Sequence, residues 1–129
     1  MKGALLVVCG ATASGKTAFA VRMAQRLKSE VVSADCMLVY KGLDIGTAKP
    51  TEAEKKGVVH HLIDVAEPSD RFSVSDYERL AVPVCESLLE SEKNPVICGG
   101  TGFYIQALLF FRGQGGVCLL YTSDAADDL

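Results

Sequence analysis

No apolar run in this chain approaches the roughly 18 residues that a membrane-spanning helix needs. The early apolar stretch ALLVVC (residues 4–9) runs into a glycine-rich turn instead of a small-residue cleavage site, so a signal peptide is not indicated. Positive charge is scarce as well. Thirteen Lys and Arg face 16 Asp and Glu, a net charge of −3, so these residues carry no basic footprint for nucleic acid. The five cysteines (Cys9, Cys36, Cys85, Cys98, Cys118) include no C-x-x-C pair, which argues against a disulfide framework and a zinc site. Cys9 and Cys98 lie in apolar runs and are expected to be small buried hydrophobes. Internal repeats and low-complexity linkers are also missing. What is left is a chain of 129 residues, 49% hydrophobic and 22% charged, suited to one small globular domain. Its expected address is the cytoplasm, with no membrane partner.

ALLVVC is continuously apolar and β-prone, as a strand covered on both faces should be. From Thr17 the period changes. Ala20, Ala24 and Lys28 share one face and Phe19, Met23 and Leu27 recur beside it, which predicts a helix ending near Ser29. EVVSAD (30–35) reads as a second strand ending in a carboxylate, and HHLIDV (60–65) as a third. Between them, GLDIGTAKPTEAEKKG mixes turn residues with a charged, helix-prone patch. Ser75 and Glu78 form a capping-box pattern before an apolar stripe of Tyr77, Leu80, Val84 and Leu88, and Pro83 is expected to kink or split that helix after Val82.

PVICGGTGFYIQALLF repeats the opening theme of strand, glycine-rich turn and helix, the helix starting near Phe103 and losing its pattern at Arg112. Strands alternating with helices predict an α/β fold, a parallel sheet flanked by helices with right-handed crossovers. Residues 112–129 offer no convincing strand or helix. CLLYTSDAADDL reads as the translation of a sequencing adapter, the alternative being a disordered acidic tail. The expected organisation is residues 1–111 as the first part of an α/β core and 112–129 as a non-native or disordered tail, the natural gene continuing beyond.

GATASGKT satisfies the phosphate-loop pattern G-x-x-x-x-G-K-S/T with Gly10, Gly15, Lys16 and Thr17. The glycines let Gly10, Ala11, Thr12, Ala13, Ser14 and Gly15 curl so that successive amides face phosphate oxygens. Lys16 adds a cation, and the Thr17 hydroxyl can bind Mg²⁺. Average composition produces the four fixed positions in roughly one chain of this length in several hundred, which favours a phosphate site over an ordinary turn. Asp35 could act as a base for phosphoryl transfer, so a P-loop small-molecule or nucleotide kinase is one reading.

SADCMLVYKGLDIGTAKP, GVVHHLIDV and GGTGFYIQALL, in that order after GATASGKT, closely resemble the tRNA dimethylallyltransferases, over residues 1–110. The adenylate isopentenyltransferases, which share a version of the loop and the acid, are the nearest alternative. The resemblance implies a P-loop NTPase-like fold in which the loop holds the diphosphate of dimethylallyl diphosphate with Mg²⁺. A five-carbon group then passes to N6 of a tRNA adenosine next to the anticodon. It implies that Asp35 takes the N6 proton and that Thr101 reaches the reaction centre. Asp35, Cys36, Met37, Leu38 and Thr101 would meet the tRNA. Family members continue with a helical insertion that grips the anticodon arm, so the chain alone is expected to be inactive; no stable protein partner is implied. The family usually has serine at Cys36, glutamine at Leu38 and commonly proline at Ala11.

The residues also have plainer readings. A strand-ending acid is often a cap or a surface residue, and Thr101 opens a helix, where its amide could face an anion. His60 and His61 would point to opposite faces of a strand, which favours structural roles over a shared metal.

Overall fold

Short β-branched and apolar runs pair here into one parallel sheet. The computed structural model describes residues 4–9, 15–42, 49–111 and 117–122. Its strands are β1 (Ala4–Cys9), β2 (Val31–Ser33), β3 (His60–His61), β4 (Val96–Cys98) and β5 (Val117–Thr122). They lie in the order β3-β2-β4-β1-β5, every neighbour parallel. Parallel neighbours need crossover connections. These carry helices α1 (Lys16–Leu27), α2 (Glu52–Lys55), α3 (Val74–Glu90) and α4 (Gly102–Phe111).

Alternation along the strands divides the core into two layers. Leu5 and Val7 of β1, Val32 of β2 and Ile97 of β4 pack with Tyr77, Ala81, Cys85 and Leu88 of α3 and with Tyr104 and Leu108 of α4. Val8, Val31 and Val96 point the other way, onto Phe19, Ala20 and Ala24 of α1. Helices therefore cover both faces, as the unbroken ALLVVC run predicts.

The third strand stops at His61 instead of reaching Val65. Leu62 (φ 67°) and Asp64 (φ 59°) adopt left-handed backbone, which ends the extended run, while Leu62 turns into the core at 5% exposure. The capping box of α3 also lies two residues upstream of the expected Ser75–Glu78 pair. Ser73 Oγ accepts the Asp76 amide at 3.1 Å, and Asp76 Oδ2 accepts the Ser73 amide at 2.8 Å. That backbone bond, then the Ser73 hydroxyl and Arg79, hold the Asp76 carboxyl below its ordinary value.

Pro83 does not split α3, which runs unbroken from Val74 to Glu90. The proline is exposed, so the carbonyl it deprives of a partner lies on the solvent side of the helix. Finally, the tail is not without structure: Val117–Thr122 pairs with all six residues of β1. The run VCLLYT is strand-prone, and its partner is the open edge of β1, more than a hundred residues away in sequence, which no local pattern can reveal. Residues 112–116 and 123–129 lie outside the described residues.

Tyr77 ties α3 to the sheet beside the site. Its ring stacks on Tyr104, centroids 4.0 Å apart and planes 7° from parallel. Its hydroxyl donates to the Ser33 carbonyl at 2.7 Å, and burial pushes its pKa well above the ordinary tyrosine value. Tyr77→Phe keeps the stack and removes only this donor. Urea unfolding should show a loss of about 1–3 kcal/mol, the cost of leaving a buried acceptor unpaired.

Candidate active site

Of the expected diphosphate loop, Gly10, Ala11, Thr12, Ala13 and Ser14 lie outside the described residues. The loop's exit is described. Gly15 caps α1 with φ 79° and ψ 18°, a left-handed conformation that glycine takes without strain. Its carbonyl accepts the Phe19 amide at 3.0 Å. Lys16 and Thr17 thus open α1, where the helix dipole attracts anions, and the first turn holds no acidic residue to compete. Lys16 is 6% exposed, and a β-carbon placed on Gly100 would lie 3.8 Å from its Nζ. The ammonium therefore reaches across to the second glycine-rich turn.

That turn and the segment after β2 are laced together. The Ala34 amide donates to the Cys98 carbonyl at 2.9 Å, and the Thr101 amide donates to the Ala34 carbonyl at 3.0 Å. The Cys36 amide donates to Thr101 Oγ1 at 2.9 Å. Gly99 makes the approach possible, because a β-carbon there would sit 2.3 Å from the Ala34 carbonyl oxygen. These bonds set Thr101 beside Asp35 and Cys36. They also correct one expectation: the Thr101 amide is taken up by Ala34 and does not face an anion. Thr101 Oγ1 accepts from Cys36, which leaves its hydroxyl proton to donate.

Asp35 is half-buried two residues past β2, and its Oδ1 accepts the Met37 amide at 2.8 Å. This Asx turn fixes the loop and leaves Oδ2 with no bond among the described residues. Lys16 and Asp35 both act on the Cys98 thiol, whose pKa burial pushes up to about 11, Lys16 opposing and Asp35 adding to the shift. Cys98 Sγ lies 4.0 Å from the Lys16 carbonyl oxygen, so the end of β4 packs against the start of α1. Cys98 and Cys9 are each only partly buried, less than their apolar runs suggest.

Among the expected tRNA contacts, Cys36 and Met37 are exposed, Met37 at 50%. Leu38 is half-buried and lines a small cavity with Thr17 and His60. The two histidines do diverge. His60 Nδ1 lies 3.0 Å from the Val58 carbonyl near α1, whereas His61 Nε2 lies 2.6 Å from Glu30 Oε1 in a pocket against α3. Burial lowers the His60 pKa. Among the described residues no group of three His, Cys, Asp or Glu side chains could hold a metal ion, and no helix is long and apolar enough to cross a membrane.

Three contributors escape local sequence reading. Gly99 shows only as half of a GG pair, and Tyr77 only as one member of an apolar stripe. Lys49 of GTAKP donates to the Tyr40 carbonyl at 2.8 Å and pairs with Asp64 of HHLIDV. That contact gives two of the motifs a physical reason to occur together, although neither motif announces it.

The IPP transferase family matches residues 38–115. A tRNA dimethylallyltransferase of Alkaliphilus oremlandii is 47% identical over 110 residues, covering 85% of this chain and 35% of that protein. A crystal structure of a full-length tRNA isopentenylpyrophosphate transferase from Bacillus halodurans superposes with a TM-score of 0.80 at 46% identity, covering 86% of this chain and 36% of that one. A eukaryotic dimethylallyltransferase captured acting on tRNA superposes with a TM-score of 0.78 at 30% identity, covering 82% of this chain and 26% of that one. The chain thus spans about a third of the length of the curated relatives it matches. Its sheet is the P-loop type of α/β fold that those transferases share, and the chain belongs to the IPP transferase family.

Proposed function

We propose that these residues are the diphosphate-binding and reacting portion of a tRNA dimethylallyltransferase. The observation that carries the reading is the convergence of Lys16, Asp35 and Thr101 at one end of the sheet. The adenine N6 of a tRNA attacks C1 of dimethylallyl diphosphate, and the C1–oxygen bond breaks. Asp35 takes the N6 proton through its open Oδ2, and the diphosphate departs with the electron pair. A carboxylate suits this role because an exocyclic amine is a weak nucleophile until its proton has an acceptor. The loop amides and Lys16 stabilise the charge that builds on the leaving group, and the Thr101 hydroxyl can donate to it.

The site suits Mg²⁺ in its donor chemistry: the half-buried Thr17 hydroxyl opens α1, and a hard cation needs only one or two protein oxygens when phosphate oxygens and water fill the rest. When bound, the ion would neutralise charge on the diphosphate. Cys36 and Met37, at the surface beside Asp35, would meet the tRNA anticodon arm in the cytoplasm. This chain alone, lacking about two thirds of its relatives' length, would be inactive on tRNA.

Titrating the protein with dimethylallyl diphosphate and Mg²⁺ should give saturable heat that inorganic pyrophosphate abolishes. Binding of ATP with no response to either diphosphate would move the reading to a kinase. Activity is best tested in a chimaera, where segments of the Bacillus halodurans relative outside the aligned region complete this chain.

A further inference from the structure

A cavity of about 20 Å³ lies beneath the start of α1, with Thr17, Ser33, Leu38, His60, Ile63 and Cys98 in its wall. Two buried polar atoms of those residues, Ser33 Oγ and His60 Nε2, have no hydrogen-bond partner among the described residues. Ser33 is 2% exposed, so bulk water does not satisfy it. A carbonyl only accepts, so the 3.0 Å contact between His60 Nδ1 and the Val58 oxygen puts the ring proton on Nδ1. Nε2 then presents a lone pair, and Ser33 Oγ can donate or accept.

Two such atoms left bare would be unusual in a native protein. The volume suits a single water, which needs about 10–15 Å³ and two to four polar partners. Among the described residues no carboxylate lines the space, and one imidazole nitrogen with hydroxyls is a poor set for a cation.

We propose that this cavity is a built hydration site. One ordered water donates to His60 Nε2, bonds Ser33 Oγ and braces the underside of Thr17. The proposal goes beyond the diphosphate reading and rests on it only for what Thr17 then does. His60 becomes a positioning residue, acting on the phosphate loop through the water and never touching substrate.

The test is a high-resolution crystal structure of the chimaera, with inorganic pyrophosphate and Mg²⁺ as the binding probe. Water density within hydrogen-bond distance of both atoms is expected. His60→Gln, which still offers a polar atom, should keep the water and the affinity. His60→Phe should lose the water and weaken pyrophosphate binding about fivefold, the worth of one hydrogen bond. A dry cavity, or a His60→Phe variant that binds as the parent does, would overturn the proposal. Should the Phe variant fail to fold, ¹⁵N NMR of the parent still decides: the Nδ1-protonated tautomer is expected, and an Nε2-protonated ring would refute the site. A parent that holds the water yet binds no pyrophosphate would uphold the hydration site and defeat the diphosphate reading.

Discussion

Asp35→Asn in the chimaera should cut prenyl transfer to tRNA at least about a hundredfold, the low end for removal of a general base. The substitution isolates the chemistry because the asparagine side-chain oxygen can still accept the Met37 amide, the bond that now shapes the loop at 2.8 Å. Affinity for dimethylallyl diphosphate should stay within experimental scatter, since the proposed reading gives the diphosphate to the phosphate loop and Lys16, not to Asp35. In kinetic terms, kcat falls while the diphosphate KM is unchanged, the mark of an interaction made in the transition state. Near-normal turnover would show that Asp35 shapes a turn and does no more.

Gly99→Ala should be strongly destabilising. Its β-carbon would lie 2.3 Å from the Ala34 oxygen, 2.4 Å from the Ala34 carbonyl carbon and 2.9 Å from its Cα. All three atoms are backbone, so no side chain can swing away. The β4 turn must retreat, and with it go the Thr101 bonds to Ala34 and Cys36. We expect a loss of about 3 kcal/mol in urea unfolding, the upper end for overpacking a close contact. Gly100→Ala is the control. It meets nothing nearer than Lys16 Nζ at 3.8 Å and should stay within about 0.5 kcal/mol of the parent. Equal losses for the two variants would mean that glycine flexibility, and not close approach, governs this turn.

The sequence pattern carried the fold well wherever one element explains itself. ALLVVC is β1 to the residue, and the run after Gly15 is α1. Legibility failed where the deciding partner is distant. HHLIDV has the composition of a strand, but the left-handed Leu62 and Asp64 belong to a bend held by Lys49 and the Leu38 carbonyl. VCLLYT becomes a strand because β1 has an edge to offer. Pro83 is tolerated because it falls on the wet side of α3, a fact of packing and not of propensity.

For the proposed site, motifs and resemblance nominate Lys16, Thr17, Asp35 and Thr101. The structure adds what motifs cannot carry, namely which atoms are already spent. Asp35 Oδ1 and the Thr101 amide are engaged, which among the described residues leaves Asp35 Oδ2 and the Thr101 hydroxyl proton to act.

The most direct measurement is transfer of label from dimethylallyl diphosphate to tRNA by the chimaera with Mg²⁺, followed by nucleoside analysis of the product. Label is expected on N6 of the adenosine next to the anticodon, with inorganic pyrophosphate released one for one. Hydrolysis of ATP with no label on tRNA would contradict the transferase reading.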